Sequence, residues 1–233
     1  AGYSGPLYAE ISPRTFSVLV RTGSKLNQLR LRRGTAAFPD TELQRLHLRE
    51  TLVSSEGDAD IQEGIACSVD LGGEPGSLIG YCAKRHAAVV DMDAEAAYDA
   101  HEFWDPVTIG ASRRLILDPN EFYILVSKEA IHIPPKYAAE MVAIDPTVGE
   151  FRVHYAGFFD PGFGNRDAGG DGSRAVLEVR SHDVPFVLED GQKVARLRYE
   201  RMEQRPSQLY GEHGRASYQR QGLQLSRHFK PAS

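Results

Sequence analysis

Two glutamates stand alone in short apolar runs: Glu10 in Leu7-Tyr-Ala-Glu-Ile11 and Glu178 in Ala175-Val-Leu-Glu-Val179. Neither has a cation beside it in sequence. A carboxylate taken out of water in such a run becomes harder to ionise, and its pKa moves toward the range where a general acid or base works. Alternation along a strand offers the plainer alternative, a Glu pointing away from its apolar neighbours into solvent. A third acid, Asp160, opens the turn Asp160-Pro-Gly-Phe-Gly164, either as a hydrogen-bond acceptor or simply as the residue that starts a Pro-Gly turn. Tyr210, Tyr218 and Gln221 lie on a polar, glycine-containing stretch that begins near Arg205, and isolated aromatics there call for a surface to lie on. The eight histidines show no spacing suited to a metal site, and the two cysteines, Cys67 and Cys82, fit neither a disulfide framework nor a zinc knuckle.

These side chains need a scaffold, and the sequence describes one built from short strands. Apolar runs at Phe16–Val20, Ala87–Val90, Leu115–Leu117, Phe122–Val126 and Val184–Leu188 are separated by Gly, Pro, Asp and Asn. Asp118-Pro-Asn120, Ile133-Pro-Pro135, Asp145-Pro146 and Asp160-Pro-Gly162 supply the turns. Helical spacing is confined to Thr41–Glu50, with apolar residues at 43, 46 and 48 and Asp40 as a cap. Asn165–Ser173 is expected to be a mobile loop. An all-β sandwich or barrel follows. With 233 residues, 41% of them hydrophobic, the chain is long enough to bury a substantial core. A net charge of -5 gives no basic field for a nucleic-acid polymer, and no run reaches the roughly 20 apolar residues of a membrane span. A soluble, cytoplasmic protein is expected.

The chain also repeats itself. Shifted by 168 positions, Leu7–Arg33 lies over Ala175–Arg201 without a gap, which pairs Glu10 with Glu178, Gly23 with Gly191, Leu29 with Leu197 and Arg30 with Arg198. The second copy has a long sequence ahead of its block and the first only six residues, so the expectation is a first unit incomplete at its N-terminus.

The paired blocks carry a family resemblance. Asp160-Pro-Gly-Phe-Gly164 leading into Ala175-Val-Leu-Glu-Val179 resembles the turn and Glu-bearing strand of the dCTP deaminase and dUTPase superfamily, and Gly2-Tyr-Ser-Gly5 before Leu7–Ile11 resembles it again. Gly64–Gly72 and Phe122–Pro134 are similar to earlier strands of that family, and Tyr210 with Ala216–Gly222 to its C-terminal arm. The order of these motifs and the duplication resemble a long, two-repeat dCTP deaminase. The resemblance implies a mainly β, dUTPase-like β-clip or distorted barrel in tandem, with few short helices. Its parts would be 1–36 (end of a first repeat), 37–204 (a complete second repeat) and 205–233 (an arm closing over a nucleotide). It implies conversion of dCTP to dUTP and ammonia, with Glu10 or Glu178 as general acid/base. The sequence has neither the His-x-Glu nor the Pro-Cys-x-x-Cys arrangement of the zinc deaminases, so a zinc-free site is expected. Mg²⁺ would enter with the triphosphate.

By the same resemblance, Asp160 receives the deoxyribose 3'-hydroxyl, Tyr210, Tyr218 and Gln221 contact the nucleotide, and the subunits form a trimer. One segment departs from the family. Between Asp145 and His154 the chain is shorter and lacks a serine pair, which leaves Arg152, His154 and Ala156 as the substrate-binding candidates there. That departure favours Glu10 over Glu178 and admits a second repeat that is a non-catalytic, nucleotide-binding scaffold. A dUTP diphosphatase, alone or combined with deamination, is the other enzymatic alternative, because one fold hosts both reactions.

Overall fold

The computed structural model describes residues 2–34, 38–54, 57–144, 151–154, 157–181, 183–212 and 222–231, with 151–154 described as backbone. Strand β1 (Val18–Leu19) is followed by helix α1 (Asp40–Glu50) and by β2 (Val53–Ser54), β3 (Ile65–Ser68), β4 (Leu78–Ala83) and β5 (Val90–Asp91). A one-turn helix, α2 (Ala100–Phe103), runs into β6 (Trp104–Thr108), then β7 (Arg114–Leu117), β8 (Phe122–Ile131) and β9 (Tyr137–Ala143). Last come β10 (Phe151–His154), β11 (Phe158–Phe159), β12 (Ser173–Ser181), β13 (Phe186–Glu189) and β14 (Lys193–Arg201). The fold is mainly β, as the short apolar runs imply.

One sheet has the order β10-β12-β8-β4-β6, with β2 added to β8, and a second has the order β11-β9-β14-β3. Their inner faces enclose the main core. Alternation along β12 sends Ala175, Leu177 and Val179 inward to full burial, where they meet Leu197 and Tyr199 of β14 and Ile65 of β3. The Tyr199 hydroxyl lies 3.1 Å from the carbonyls of both Leu52 and His132, so the largest buried polar tip is satisfied.

Helix α1 closes one side of this core with Leu43 and Leu46, three residues apart on one face; Leu48 falls on the opposite face and is exposed. The expected cap differs. Pro39 occupies the N-cap in an extended conformation, while the Asp40 carboxylate accepts from the amides of Glu63 and Gly64 at 2.7 and 3.1 Å. Those two amides take up the carboxylate in place of the helix's own N–H groups. The Asn165–Ser173 segment, expected to be a mobile loop, opens with a 3₁₀ turn over Arg166–Ala168. There Asn165 accepts from the Asp167 amide at 3.0 Å, and Gly169 takes a left-handed conformation.

Candidate active site

The two copies of the repeated block are placed very differently. In the second, β12 is central, paired to β8 on one side and β10 on the other, with Glu178 opposite Ile124 and His154. In the first, Leu7–Ile11 makes no strand among the described residues, and Glu10 is exposed and outside the cavity described next.

Alternation puts Glu178 on the outer face of β12 with Val176, as the sequence pattern requires, yet that face is only partly exposed to solvent. It floors a cavity of about 570 Å³. Ile124, Phe122 and Trp104 continue the floor. Thr15, Phe16 and Val18 from the first copy form one wall, and Leu225, His228 and Phe229 from the C-terminal tail form another. The aromatic rings hold these pieces together: Phe16 meets Trp104 edge-on at 5.1 Å and Phe103 at 5.3 Å, and Phe229 meets the same two rings at 5.8 and 5.3 Å. The tail is also tied by backbone, with Lys230 donating to the Tyr98 carbonyl at 2.9 Å and Ala97 to the His228 carbonyl at 3.0 Å.

Inside this wall Glu178 has no hydrogen-bond partner among the described residues, and burial alone pushes its pKa upward. Its neighbour on the same face, Arg180, does not reach back to neutralise it. That guanidinium sits 5.4 Å over the Phe122 ring and donates to the carbonyls of Arg14 and Asn120. A second buried carboxylate shows the contrast. Glu129 accepts from both the amide and the hydroxyl of Ser68, at 2.8 and 2.6 Å, and serves as a structural staple. Glu178 is therefore the carboxylate left available to a ligand.

The turn that carries Asp160 forms the far end of the cavity. Phe163 donates to the Asp160 carbonyl at 3.1 Å, and Gly162 at φ 101° completes a turn in which a Cβ would sit 2.8 Å from that of Leu209. Gly164 is equally constrained, because a Cβ there would overlap the Ile131 carbonyl. Tyr210 donates its amide to the Pro161 carbonyl at 2.8 Å and its ring packs 5.7 Å from Phe163, so the start of the tail is clamped to the turn.

Asp160 lines the cavity with its carboxylate held by the first copy: Arg30 donates to it at 2.7 Å and Gln28 at 3.2 Å. Arg30 also stacks 4.1 Å over the Phe158 ring. Of the residues singled out from sequence, Glu178, Asp160 and Tyr210 are brought together around this cavity. Arg152 and His154 are described only as backbone of β10; Ala156, Tyr218 and Gln221 lie outside the described residues. Phe16, Gln28, Arg30 and His228 escaped the sequence reading. The repeat flags Arg30 through its match with Arg198, and no sequence signal connects the others to Glu178.

The described cavity wall carries no lysine or arginine. An apolar, aromatic-lined space with one free, hard-to-ionise carboxylate suits a flat ring and its sugar, and its volume falls in the usual range for small-ligand sites.

The family model described as 2'-deoxycytidine 5'-triphosphate deaminase, C-terminal domain, matches residues 39–229, and the N-terminal domain model of the same family matches residues 1–35. The crystal structure of 2'-deoxycytidine 5'-triphosphate deaminase from Agrobacterium tumefaciens is 57% identical in sequence, with a TM-score of 0.80. The match covers 88% of this chain and 60% of that one, so the chain spans about three fifths of its solved relative's length. No curated protein sequence matches it significantly. On the family models and the identity to the solved relative, the chain belongs to the 2'-deoxycytidine 5'-triphosphate deaminase family.

Proposed function

We propose that the chain acts in the hydrolytic deamination of dCTP to dUTP and ammonia, with Glu178 as the general acid/base. One observation beyond family membership carries this: a carboxylate without a protein partner, its pKa raised by burial, in the floor of an apolar cavity sized for a nucleoside. Ionised Glu178 takes a proton from water as the water oxygen bonds to C4 of the cytosine ring, then returns that proton to N3. The same carboxylate takes the new hydroxyl proton and passes it to the amino group. The C4–N4 bond breaks, ammonia leaves, and the 4-carbonyl of uracil remains. The apolar wall keeps bulk water from competing at C4.

Asp160, already oriented by Arg30 and Gln28, is the acceptor for the sugar 3'-hydroxyl, and Tyr210 closes that end. Arg152, His154, Ala156, Tyr218 and Gln221 belong to this proposal as further substrate-binding residues, on the family resemblance alone. Among the described residues no trio of His, Cys, Asp or Glu is grouped for a metal. Mg²⁺, bound through the triphosphate, would neutralise phosphate charge and need no protein ligand set. A trimer, a cytoplasmic location and the division at residues 36 and 204 belong to the same proposal. No helix among the described residues is long and apolar enough to cross a membrane.

A second reading is favoured by the missing serine pair between Asp145 and His154. Here the second repeat binds nucleotide as a scaffold and Glu10 serves the chemistry. The deciding experiment offers dCTP, dCMP and dUTP with Mg²⁺ and follows ammonia and nucleotide products for the unsubstituted chain, Glu178→Gln and Glu10→Gln. Conversion of dCTP to dUTP, lost with Glu178→Gln, supports the first reading; loss with Glu10→Gln alone supports the second. Pyrophosphate released from dUTP with no ammonia from dCTP favours a dUTP diphosphatase over both, and no turnover by a folded sample favours a second repeat that is a non-catalytic, nucleotide-binding scaffold.

A further inference from the structure

Among the described residues the cavity wall holds one imidazole, His228, which stands outside the mechanism above. It is 8% exposed. Its Nδ1 lies 2.7 Å from the Ala94 carbonyl oxygen, and a carbonyl only accepts, so Nδ1 carries the proton. In the neutral ring Nε2 is then a lone-pair acceptor with no hydrogen to give. Nε2 has no partner among the described residues. The ring is held from both sides in sequence. The amides of Ala97 and Tyr98 donate to the His228 carbonyl at 3.0 and 3.2 Å, and Phe229 is fixed among Phe16, Phe103 and Trp104.

We propose that His228 is a specificity residue that reads position 4 of the pyrimidine. Its Nε2 accepts a hydrogen bond from the exocyclic amine of cytosine. The same position in uracil is a carbonyl, itself an acceptor, and has nothing to donate. Two acceptors facing each other in a site shielded from water disfavour the complex. His228 therefore holds the substrate, and its hold is lost once the amine has left as ammonia, which speeds release of the product. The inference rests on the deaminase reading of this cavity and names the group that tells substrate from product.

Binding tests it apart from turnover. Equilibrium dialysis of dCTP and of dUTP against the full chain carrying Glu178→Gln should give a preference for dCTP of about tenfold or more. Adding His228→Gln, whose amide can present either an oxygen or an N–H, should bring the two affinities within about twofold. Adding His228→Phe, which keeps a ring in place but has no nitrogen, should weaken dCTP about tenfold and leave dUTP nearly unchanged.

A ratio that His228→Gln does not move overturns the inference, as does equal weakening of both nucleotides, which is what a mere anchor for the tail would give. Absence of dCTP preference in the starting chain overturns it as well. Ammonia release by the unsubstituted chain reports on the deaminase reading independently. Turnover with an unmoved ratio leaves that reading standing without His228; a collapsed ratio without any turnover leaves His228 reading cytosine in a binding site.

Discussion

The two copies of the repeat share a sequence pattern and differ in what surrounds it, and their structures divide along that line. The tight turn is the same in both. Ser24 donates to the Arg21 carbonyl at 3.0 Å around Gly23 (φ 96°), and Gln192 donates to the Glu189 carbonyl at 3.0 Å around Gly191 (φ 76°). The strands are not. Ala175–Val179 lies between β8 and β10, whereas the aligned Leu7–Ile11 is exposed and makes no ladder among the described residues. Lys193–Arg201 pairs with β3 and β9, whereas the aligned Lys25–Arg33 is tied down by side chains, through Arg30 to Asp160 and Arg32 to Glu140 and Glu200. Turn chemistry is local and comes with four residues; a strand exists only where neighbours accept its hydrogen bonds.

The same difference governs the paired glutamates. Burial raises the pKa of Glu178 because the sheet around it and the aromatic walls of its cavity reduce its contact with water. Among the described residues nothing comparable encloses Glu10, which is exposed. The largest effect expected is therefore on activity: Glu178→Gln should lower the rate of dCTP deamination by about 10²–10⁴-fold, and Glu10→Gln by no more than about threefold, in steady-state ammonia assays. The reverse outcome would show that the chemistry follows the first copy and that its surroundings in the working protein come from elsewhere.

Much of the second copy was legible in the sequence and the site was not. The period-two burial of Ser173–Ser181 and the three-residue spacing of Leu43 and Leu46 are local properties, and a reader of the sequence recovers them. Alternation even gives the face on which Glu178 lies. What covers that face is non-local: Phe16 and Phe229 approach from opposite ends of the chain to pack on Trp104, and no pattern links them. Asp40 departs from its expected cap role for the same reason, since the amides that claim it belong to Glu63 and Gly64.

Stability should report the strand contrast directly. Leu177 is fully buried between the sheets, so Leu177→Ala should cost about 2–5 kcal/mol in urea unfolding. Ile11, 48% exposed on the aligned segment, should give a change within about 0.5 kcal/mol when replaced by Ala. A large loss from Ile11→Ala would mean that the first copy finds partners in solution that this chain alone does not display.

The turn contrast predicts near-equality instead. A Cβ at Gly23 meets nothing within 4 Å, and one at Gly191 meets only the Lys128 ammonium at 4.0 Å, so in both places Ala pays only for its left-handed backbone. Gly23→Ala and Gly191→Ala should each lower stability by about 1 kcal/mol. A clearly larger loss at Gly191 would show that the turn is stabilised by the sheet it joins, not by its own residues.

The smallest effect is the stability cost of keeping Glu178 available. Its folded-state pKa lies above the ordinary 4.5 of the unfolded chain, so between those values the folded protein binds the proton and the unfolded one does not. Stability from this group is fully present below pH 4.5 and is lost as pH rises through the folded value. Ionisation that activates the base is thus the same event that weakens the fold. Thermal unfolding across pH should find Glu178→Gln indistinguishable from the unsubstituted chain at pH 4 and more stable at pH 7.5, while Glu10→Gln tracks the unsubstituted chain throughout. If Glu178→Gln gained nothing at pH 7.5, the carboxylate would have to be solvated in its cavity, and the environmental difference between the two glutamates would no longer account for a difference in their chemistry.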